Sequence, residues 1–256
     1  MEEDGADAVV VDADAVLAEA TDVGVRFPNG VEALAGVSLR LDAGELVAIV
    51  GPSGCGKSTL VRLLAGLAAP TRGSVRTAAG GVGIVFQQPA LLAWRTVVAN
   101  VALPLELAGV AHGEATARAL AALARVGLAR DARVYPIELS GGMRMRAALA
   151  RALVTQPRFL LLDEPFASAD ELTRERLGED VLALRAREAF AALLVTHSVA
   201  EAVFLSDRVL VMSARPGRIV GEVAVPFGHT RDAALRGTGE FARLAGDVSR
   251  LLREGA

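Results

Sequence analysis

Short, continuous apolar runs recur along the chain and predict buried parallel strands. Each run ends in glycine or in polar residues, a pattern typical of strands that are covered on both faces. The runs lie at residues 46–50, 159–162 and 191–195. From about Val16, shorter Val- and Leu-rich runs alternate with turn signals at residues 28–30 and 42–44. This alternation predicts a small antiparallel sheet ahead of the core.

The stretches between and after these runs are helical in pattern. Residues from about 89 to 156 are rich in Ala, Leu and Arg and predict a separate helical subdomain. Residues 171–188 alternate in charge at a helical period, which favours a solvated helix supported by ion pairs. Apolar residues between Phe241 and Leu252 recur at helical spacing and predict a docked terminal helix. The resulting fold class is α/β.

Length and composition limit what the chain can be. Its 256 residues are 52% hydrophobic, enough to bury a substantial core. A net charge of −3 and only 4% aromatic residues argue against a nucleic-acid binder. The single cysteine excludes an internal disulfide framework. No apolar run approaches the roughly 18 residues of a membrane span, and the acidic N-terminus is unlike a signal peptide, so we expect a soluble intracellular chain.

Three regions follow from these patterns. Eight acidic residues and no basic one lie between Met1 and Asp22, and we expect the first residues to be mobile. The predicted bounds are 1–15 for this acidic N-terminus, 16–225 for the main domain and 226–256 for a tail that ends in a helix.

A glycine-rich loop follows the first buried run and precedes a helical start. It consists of Gly51, Pro52, Ser53, Gly54, Cys55, Gly56, Lys57, Ser58 and Thr59. Strand, loop and helix in this order form a phosphate-binding loop, whose free amides hold a triphosphate. Lys57 is suited to the β and γ phosphates and Ser58 to Mg²⁺. Lys57 is also the only lysine in a chain that uses arginine at every other basic position.

The second and third buried runs end in residues suited to hydrolysis. Asp163 and Glu164 follow the second run, where Asp163 is suited to holding Mg²⁺ and Glu164 to polarising a water. An isolated Asp-Glu pair is also common as a helix cap or turn. His197 follows the third run at the same sheet edge, where it can contact a phosphate or the water. His112 and His229 are taken as structural.

The segment at residues 139–153 resembles the signature motif of ATP-binding cassette proteins. Ser140 is placed to cap a helix whose first amides are left open by Gly141 and Gly142. The resemblance covers nearly the whole chain. It implies a P-loop NTPase (RecA-like) core with an N-terminal antiparallel β-subdomain and an inserted α-helical subdomain. It also implies a head-to-tail homodimer with two shared ATP sites.

Further segments extend the resemblance to single residues. Phe27 lies where the family stacks an aromatic ring on adenine, although an ordinary core position is a fair alternative. Gln87 matches the residue that touches the metal and the water and senses the membrane partner. Asp170 is implied among the nucleotide-binding residues. The segments at residues 86–97 and 206–217 look like the nitrate, sulfonate and taurine importer branch. Trp94 is then either an anchor for the permease or a core residue.

Taken together, the resemblance implies an ATPase that uses ATP and Mg²⁺ to energise an importer. The implied catalytic residues are Glu164, His197, Gln87 and Lys57, and the implied metal ligands are Ser58, Gln87 and Asp163. The implied partners are integral membrane permease subunits and, indirectly, a solute-binding protein, which places the chain at the cytoplasmic face of the membrane. Two alternatives are a soluble ATP-driven clamp of the repair or translation type and a nucleotide-binding regulator without hydrolysis.

The chain departs from the family pattern at Met143 and Ala169, at Ser198, where an acid is common, and in a segment at residues 72–83 that is shorter than usual. Met143 stands in the signature where many relatives have glutamine, a change common in this branch. Ala169 replaces a larger apolar side chain just before Asp170, at the implied dimer interface. We expect the second change to weaken closure of the dimer.

Overall fold

The computed structural model describes residues 15–78, 81–188 and 190–255 and begins with an antiparallel sheet. Its strands are β1 (Val16–Arg26), β2 (Glu32–Asp42) and β4 (Arg72–Thr77), in the order β2-β1-β4. The turn predicted at residues 28–30 joins β1 to β2. The sheet predicted ahead of the core is therefore confirmed. Most of the predicted mobile segment, residues 1–14, lies outside the described residues.

A second sheet of six strands forms the centre of the molecule. Its strands are β3 (Leu46–Val50), β5 (Val82–Val85), β6 (Phe159–Asp163), β7 (Ala191–Thr196), β8 (Arg208–Met212) and β9 (Ile219–Ala224). They lie in the order β5-β6-β7-β3-β8-β9, and only β9 is antiparallel to its neighbour. The three apolar runs predicted as buried strands are the adjacent strands β6, β7 and β3.

Seven α-helices occur in the described residues. Three of them pack against one another as a helical group: α2 (Val97–Leu107), α3 (His112–Arg125) and α4 (Gly141–Leu153). The others are α1 (Lys57–Leu64), α5 (Glu171–Glu188), α6 (Val199–Leu205) and α7 (Gly239–Glu254). Within the described residues, every helix is too short or too polar to span a bilayer.

The side chains of β3 alternate between two apolar clusters, one on each face of the central sheet. Leu46, Ala48 and Val50 contact the cluster that contains residues of the helical group and of α5, α6 and α7. Val47 and Ile49 contact the cluster formed with α1 and the antiparallel sheet. A fully buried aliphatic side chain contributes about 1.5–3 kcal/mol relative to an exposed one. Because both faces are covered, the sheet is a firm support for the loops at its edge.

Helix α7 docks where the sequence predicts a terminal helix. Its apolar residues Phe241, Leu244 and Val248 are buried in the same cluster as the helical group. Thr238 caps its first turn by accepting a hydrogen bond from the amide of Phe241. The helix contacts α6, β8 and β9, so the tail packs against the main domain.

Helix α5 has the predicted bounds but uses its charges differently. Arg185 is buried and forms an ion pair with Asp207, just before β8. Asp180 pairs with Arg146 of α4 over 2.8 Å. Among the described residues, the ion pairs of α5 run to other elements and not along its own face. A solvated face is present at Arg176 and Arg187, but the prediction of ion pairs along the helix is wrong, because α5 packs between elements that supply its partners.

Candidate functional site

Three neighbouring strands bring the predicted chemistry to one edge of the central sheet. Strand β3 leads into the loop at residues 51–56 and then into α1. Strand β6 ends at Asp163, and β7 ends at Thr196, the residue before His197. Because the strands lie in the order β6-β7-β3 and are parallel, these three segments emerge side by side. Ligands of open parallel sheets bind at this edge.

The loop at residues 51–56 leaves backbone amides free at the start of α1. Gly54 and Gly56 have φ angles of 75° and 112°, a region that favours glycine. Gly56 is the N-cap of α1 and has no side chain that could accept the first amides. Free amides at a helix N-terminus bind anions, and the helix dipole adds to the attraction. The loop therefore fits a phosphate group.

Lys57, the first residue of α1, is a buried cation, with only 4% of its surface exposed. Its Nζ donates to the carbonyl oxygens of Gly51 and Pro52, at 2.7 and 2.9 Å, and lies 3.9 Å from Sγ of the buried Cys55. These hydrogen-bond partners are all neutral. A buried charge whose hydrogen bonds go only to neutral groups can accept an anion, in addition to its interaction with the charge of Asp163.

Ser58 and Asp163 place two oxygen atoms together beside the loop. Ser58 Oγ donates a hydrogen bond to Asp163 Oδ1 over 3.2 Å. Burial raises the pKa of the Asp163 carboxyl, while the hydrogen bond from Ser58 and the charge of Lys57 oppose that rise. A hydroxyl and a carboxylate are ligands that Mg²⁺ accepts, and the nearby loop supplies a site for the phosphates that share the ion. The residues present therefore fit a magnesium ion.

Glu164 and His197 contact each other directly. Glu164 Oε2 lies 3.0 Å from His197 Nδ1, and both side chains are partly exposed. The backbone of Glu164 has a φ of 47°, which is uncommon for a residue with a side chain. Its amide donates to the carbonyl of Val195 over 2.8 Å, which ties the residue to β7. The Glu164 carboxylate thus contacts His197 and also lies close enough to Asp163 for its charge to help raise the pKa of Asp163.

A small cavity joins the phosphate loop to the antiparallel sheet. Its lining residues are Phe27, Ala33, Gly54, Gly56, Lys57, Ser58, Thr59, Glu164 and Arg215. The ring of Phe27 is 42% exposed, so Phe27 is not a core residue. Its place beside the phosphate loop leaves the ring available to a flat ligand group.

Arg215 is a site residue to which the sequence analysis gave no role. Its Nε and Nη2 both donate to the carbonyl of Gly54, at 3.0 and 2.7 Å. A usable signal was present, because Arg215 follows β8 by three residues and β8 is parallel to β3. The carboxyl end of β8 therefore reaches the same edge of the sheet as the carboxyl end of β3.

Gln87 lies beyond β5, the strand next to β6. The last residue of β5, Val85, pairs with Leu162, so the chain after it emerges beside Asp163. The side chain of Gln87 is exposed. Gln87 is therefore near the edge where the other predicted residues meet.

Other predicted residues lie on different elements. Ser140 caps α4 by accepting a hydrogen bond from the amide of Met143 over 3.3 Å, with Gly141 and Gly142 in the first turn. Asp170 precedes α5 and accepts two hydrogen bonds from Thr173, which lower its pKa. The contacts of Ser140 and Asp170 thus stay within their own helices and leave both residues exposed.

Trp94 lies just before α2 and is 74% exposed. It is therefore a surface residue of the helical group, and the alternative that it belongs to the core is excluded.

Comparison with known proteins adds sequence relatives. Residues 34–167 match the family described as ABC transporter. The aliphatic sulfonates import ATP-binding protein SsuB 1 of Mesorhizobium japonicum is 48% identical over 87% of this chain and 83% of the relative. The taurine import ATP-binding protein TauB of Rhizobium johnstonii is 41% identical over 89% of this chain and 91% of the relative.

A solved structure is similar over most of the chain. It is the dimeric structure of a post-hydrolysis state of the ATP-binding cassette MJ0796, bound to ADP and Pi. The match has a TM-score of 0.73 and 29% identity, and it covers 83% of this chain and 100% of that one. The predicted fold class is confirmed by this match.

Proposed function

Since this chain belongs to the ABC transporter family, as an ATP-hydrolysing subunit that energises an importer, we propose that two copies of it drive the uptake of a small sulfonate through a membrane permease. The resemblance to the nitrate, sulfonate and taurine branch is confirmed by relatives named for sulfonate and taurine import. These relatives favour the importer over the soluble clamp and over the regulator without hydrolysis. The observation that carries the proposed chemistry is the cluster of Lys57, Ser58, Asp163, Glu164 and His197 at one sheet edge.

The loop is the proposed site for the phosphates of ATP. Lys57 supplies the charge for the β and γ phosphates, and Phe27 supplies a ring for the adenine. The buried ammonium, which is hydrogen-bonded to neutral carbonyls, and the exposed ring beside it support these roles. Ser58, Asp163 and Gln87 are the residues that would hold Mg²⁺. When bound, the ion neutralises charge on the phosphates during transfer.

Glu164 is the proposed general base. The carboxylate takes a proton from a water as the water oxygen attacks the γ phosphorus, and the bond to the bridging oxygen breaks to leave ADP and phosphate. His197 holds the carboxylate through the 3.0 Å contact and has a second ring nitrogen for the γ phosphate or the water. Lys57 and the loop amides stabilise the charge that develops on the phosphoryl oxygens.

The second half of each nucleotide site is proposed to come from another copy. Ser140, Gly141 and Gly142 form a helix N-terminus suited to an anion, but they lie on the helical group and not in the cavity beside Lys57. A head-to-tail homodimer would close this N-terminus and Asp170 over the ATP of the partner. The dimeric state of the structural relative supports this arrangement.

The permease is proposed to dock on the helical group around Trp94. The amide of Val97 donates to the carbonyl of Val134, which brings the segment before the signature close to Trp94. Tyr135 and Ile137 of that segment are exposed, by 46% and 86%. Exposed aromatic and aliphatic side chains grouped in this way are typical of protein interfaces. The chain would then lie at the cytoplasmic face of the membrane, and a solute-binding protein would act only through the permease.

Replacing Glu164 tests the chemistry. We expect Glu164→Gln to retain ATP binding and to lower turnover by about 10²–10⁴-fold, because the amide cannot accept the proton. Binding of a fluorescent ATP analogue and release of phosphate measure the two effects. The control is Glu240→Gln, an exposed position on α7. Full turnover by Glu164→Gln would remove Glu164 from the role of base.

A growth assay tests which solute the proposed importer takes up. Cells that lack this chain receive either the wild type or Glu164→Gln and are grown with an alkanesulfonate or taurine as the sole sulfur source. We expect growth with the wild type only, and equal growth of both strains on inorganic sulfate. Normal use of sulfonates without the chain, together with a defect in nitrate use, would assign it to a different solute of the same branch.

A further inference from the structure

Arg174 of α5 links two loops that flank the reaction site. Its Nη2 donates to the carbonyl of Ala169 over 3.1 Å, in the segment that connects Glu164 to α5. Its Nε lies 3.3 Å from Glu201 Oε1, on α6. One guanidinium therefore contacts the loop before α5 and the first turn of α6. The loop before α5 contains the residues implied at the dimer interface.

Glu201 continues the connection toward His197. Thr196 Oγ1 donates to Glu201 Oε2 over 2.5 Å. The same hydroxyl oxygen accepts a hydrogen bond from the amide of Ser198 over 3.0 Å. Thr196 and Ser198 are the two neighbours of His197 in the chain, so the carboxylate of Glu201 holds the backbone on both sides of that histidine.

Capping of α6 does not account for this arrangement. Ser198 is the N-cap and already accepts a hydrogen bond from the amide of Glu201 over 3.2 Å. A glutamate at this third position commonly accepts from the N-cap amide in return. Here that amide goes to Thr196 Oγ1, and the carboxylate turns to Arg174 and Thr196. The carboxylate of Glu201 therefore connects Arg174 of α5 to Thr196 at the end of β7.

The side chains of Glu201 and Arg174 are largely buried. Only 13% of the Glu201 side chain and 28% of the Arg174 side chain are exposed. Burial raises the pKa of the Glu201 carboxyl, and the hydrogen bond from Thr196 and the charge of Arg174 oppose the rise. In a poorly hydrated place, loss of one partner leaves the other without compensation. Each of Arg174, Glu201 and Thr196 is therefore stabilised in its place by contact with its neighbour in this connection.

We propose that Arg174 and Glu201 are positioning residues that set His197, and through it Glu164, according to the position of the loop before α5. When the partner copy closes on that loop, the shift of the Ala169 carbonyl is passed through Arg174, Glu201 and Thr196 to the histidine. Hydrolysis then becomes efficient only in the closed dimer. This inference rests on the proposed homodimer and on Glu164 as base, and it assigns roles to two residues outside the nucleotide cavity.

The test uses the full chain and variants that keep the size of each side chain. Arg174→Met removes the charge and the donors, and Glu201→Gln removes the charge and replaces one of the two carboxylate oxygens by an NH2 donor. Arg176→Met, an exposed arginine on the same helix, is the matched control. We expect kcat to fall about tenfold in both variants, with the KM for ATP changed by less than about twofold, because nucleotide contacts are untouched. The control should behave as the wild type.

Two further readouts separate positioning from damage to the fold or to pairing. In the Glu164→Gln background, Arg174→Met should still form the ATP-dependent dimer, measured by analytical ultracentrifugation. The double variant Arg174→Met with Glu201→Gln should lose no more than either single variant, because both act through one connection. If Arg174→Met does not fold, the near-isosteric Glu201→Gln carries the comparison with Arg176→Met.

Three results would overturn the inference. The first is a loss of kcat in the double variant that equals the product of the two single losses. The second is an equal loss of kcat in Arg176→Met. The third is a rise in the KM for ATP with unchanged kcat in Arg174→Met and Glu201→Gln. Absence of ATP-dependent pairing in the Glu164→Gln protein itself would instead overturn the proposed dimer, and the positioning role with it. Retained pairing with unchanged kcat in Arg174→Met would overturn the positioning role alone.

Discussion

Arg215 adds a positive charge to a site that already contains Lys57. Two of its nitrogens hold the carbonyl of Gly54, which keeps that peptide group turned and its neighbouring amides free for phosphate. Arg215 also lines the same cavity as Glu164. We therefore expect the residue to act on nucleotide affinity in two ways, by fixing the loop and by its own field.

Replacing Arg215 should weaken nucleotide binding. We expect Arg215→Ala to raise the Kd for ATP about 3- to 10-fold, a modest effect because the side chain is exposed to solvent. Titration with a fluorescent ATP analogue at low and high salt measures the change, which should shrink as salt screens the charge. Arg218→Ala, an exposed position in the same turn, is the control. An unchanged Kd for Arg215→Ala would show that the loop needs no such support.

Single residues differ in how far the sequence predicts them. Lys57 can be predicted from the glycine-rich loop between a strand and a helix, and its being the only lysine among many arginines supports the assignment. Glu164, which contacts His197, has a left-handed backbone, and the residue type alone does not predict such a backbone. The contact of Arg215 with the phosphate loop depends on how a segment late in the chain folds back on that loop. Such long-range contacts leave no periodic pattern in the sequence.

Arg231 fixes the tail to the main domain at the scale of elements. Its guanidinium is buried and donates to the carbonyls at the end of α6, those of Val203, Phe204 and Ser206. Burial lowers the pKa of Arg231 to about 10, so the side chain remains charged at neutral pH. A cation at a helix C-terminus satisfies free carbonyls and interacts well with the dipole.

Removing this charge should destabilise the protein. Arg231→Met leaves several carbonyls without their donor and removes one of the cations beside Asp207, and we expect a loss of about 3 kcal/mol in the free energy of unfolding. For a chain of this size the melting temperature should fall by about 6–12 °C. Thermal unfolding followed by circular dichroism provides the measurement. Arg250→Met, whose ion pairs are exposed, should leave the melting temperature nearly unchanged; an equal fall would contradict the special role of Arg231.

Elements were predicted well where burial alone determines them. The strands at residues 46–50, 159–163 and 191–196 could be found from sequence because both faces are covered and each run is continuously apolar. The surroundings of α5 could not, because a charged helix face has the same pattern whether its partners are water or other elements. Arg185 and Asp180 show the difference, since both pair across elements.

At the scale of the whole molecule, closure of the proposed dimer depends on the loop before α5. Ala169 is partly buried there and packs against the larger apolar cluster. Its carbonyl is held by Arg174, so the backbone of the loop is fixed from inside the chain. The small side chain offers little apolar surface to a partner, so weak closure of the dimer stays a prediction.

Enlarging this side chain should strengthen pairing. In the Glu164→Gln background, Ala169→Leu adds about 0.8 kcal/mol for each methylene that becomes buried, so we expect the dissociation constant of the ATP-dependent dimer to fall by roughly 3- to 10-fold. Analytical ultracentrifugation with ATP measures it. The control is Ala242→Leu, an exposed position on α7. Weaker pairing by Ala169→Leu alone would show that this position is already filled in the dimer.

The burial of Lys57 has a consequence for protein chemistry. No other side chain of the protein carries a primary amine, and this one is covered by the loop that would hold the phosphates. Acylating reagents and lysine-directed crosslinkers therefore have a single side-chain target, and they reach it only when the loop opens. The rate of labelling, read on the peptide that contains Lys57 and so apart from any α-amine, becomes a measure of loop opening, and immobilisation through lysine would select molecules whose proposed nucleotide site is blocked.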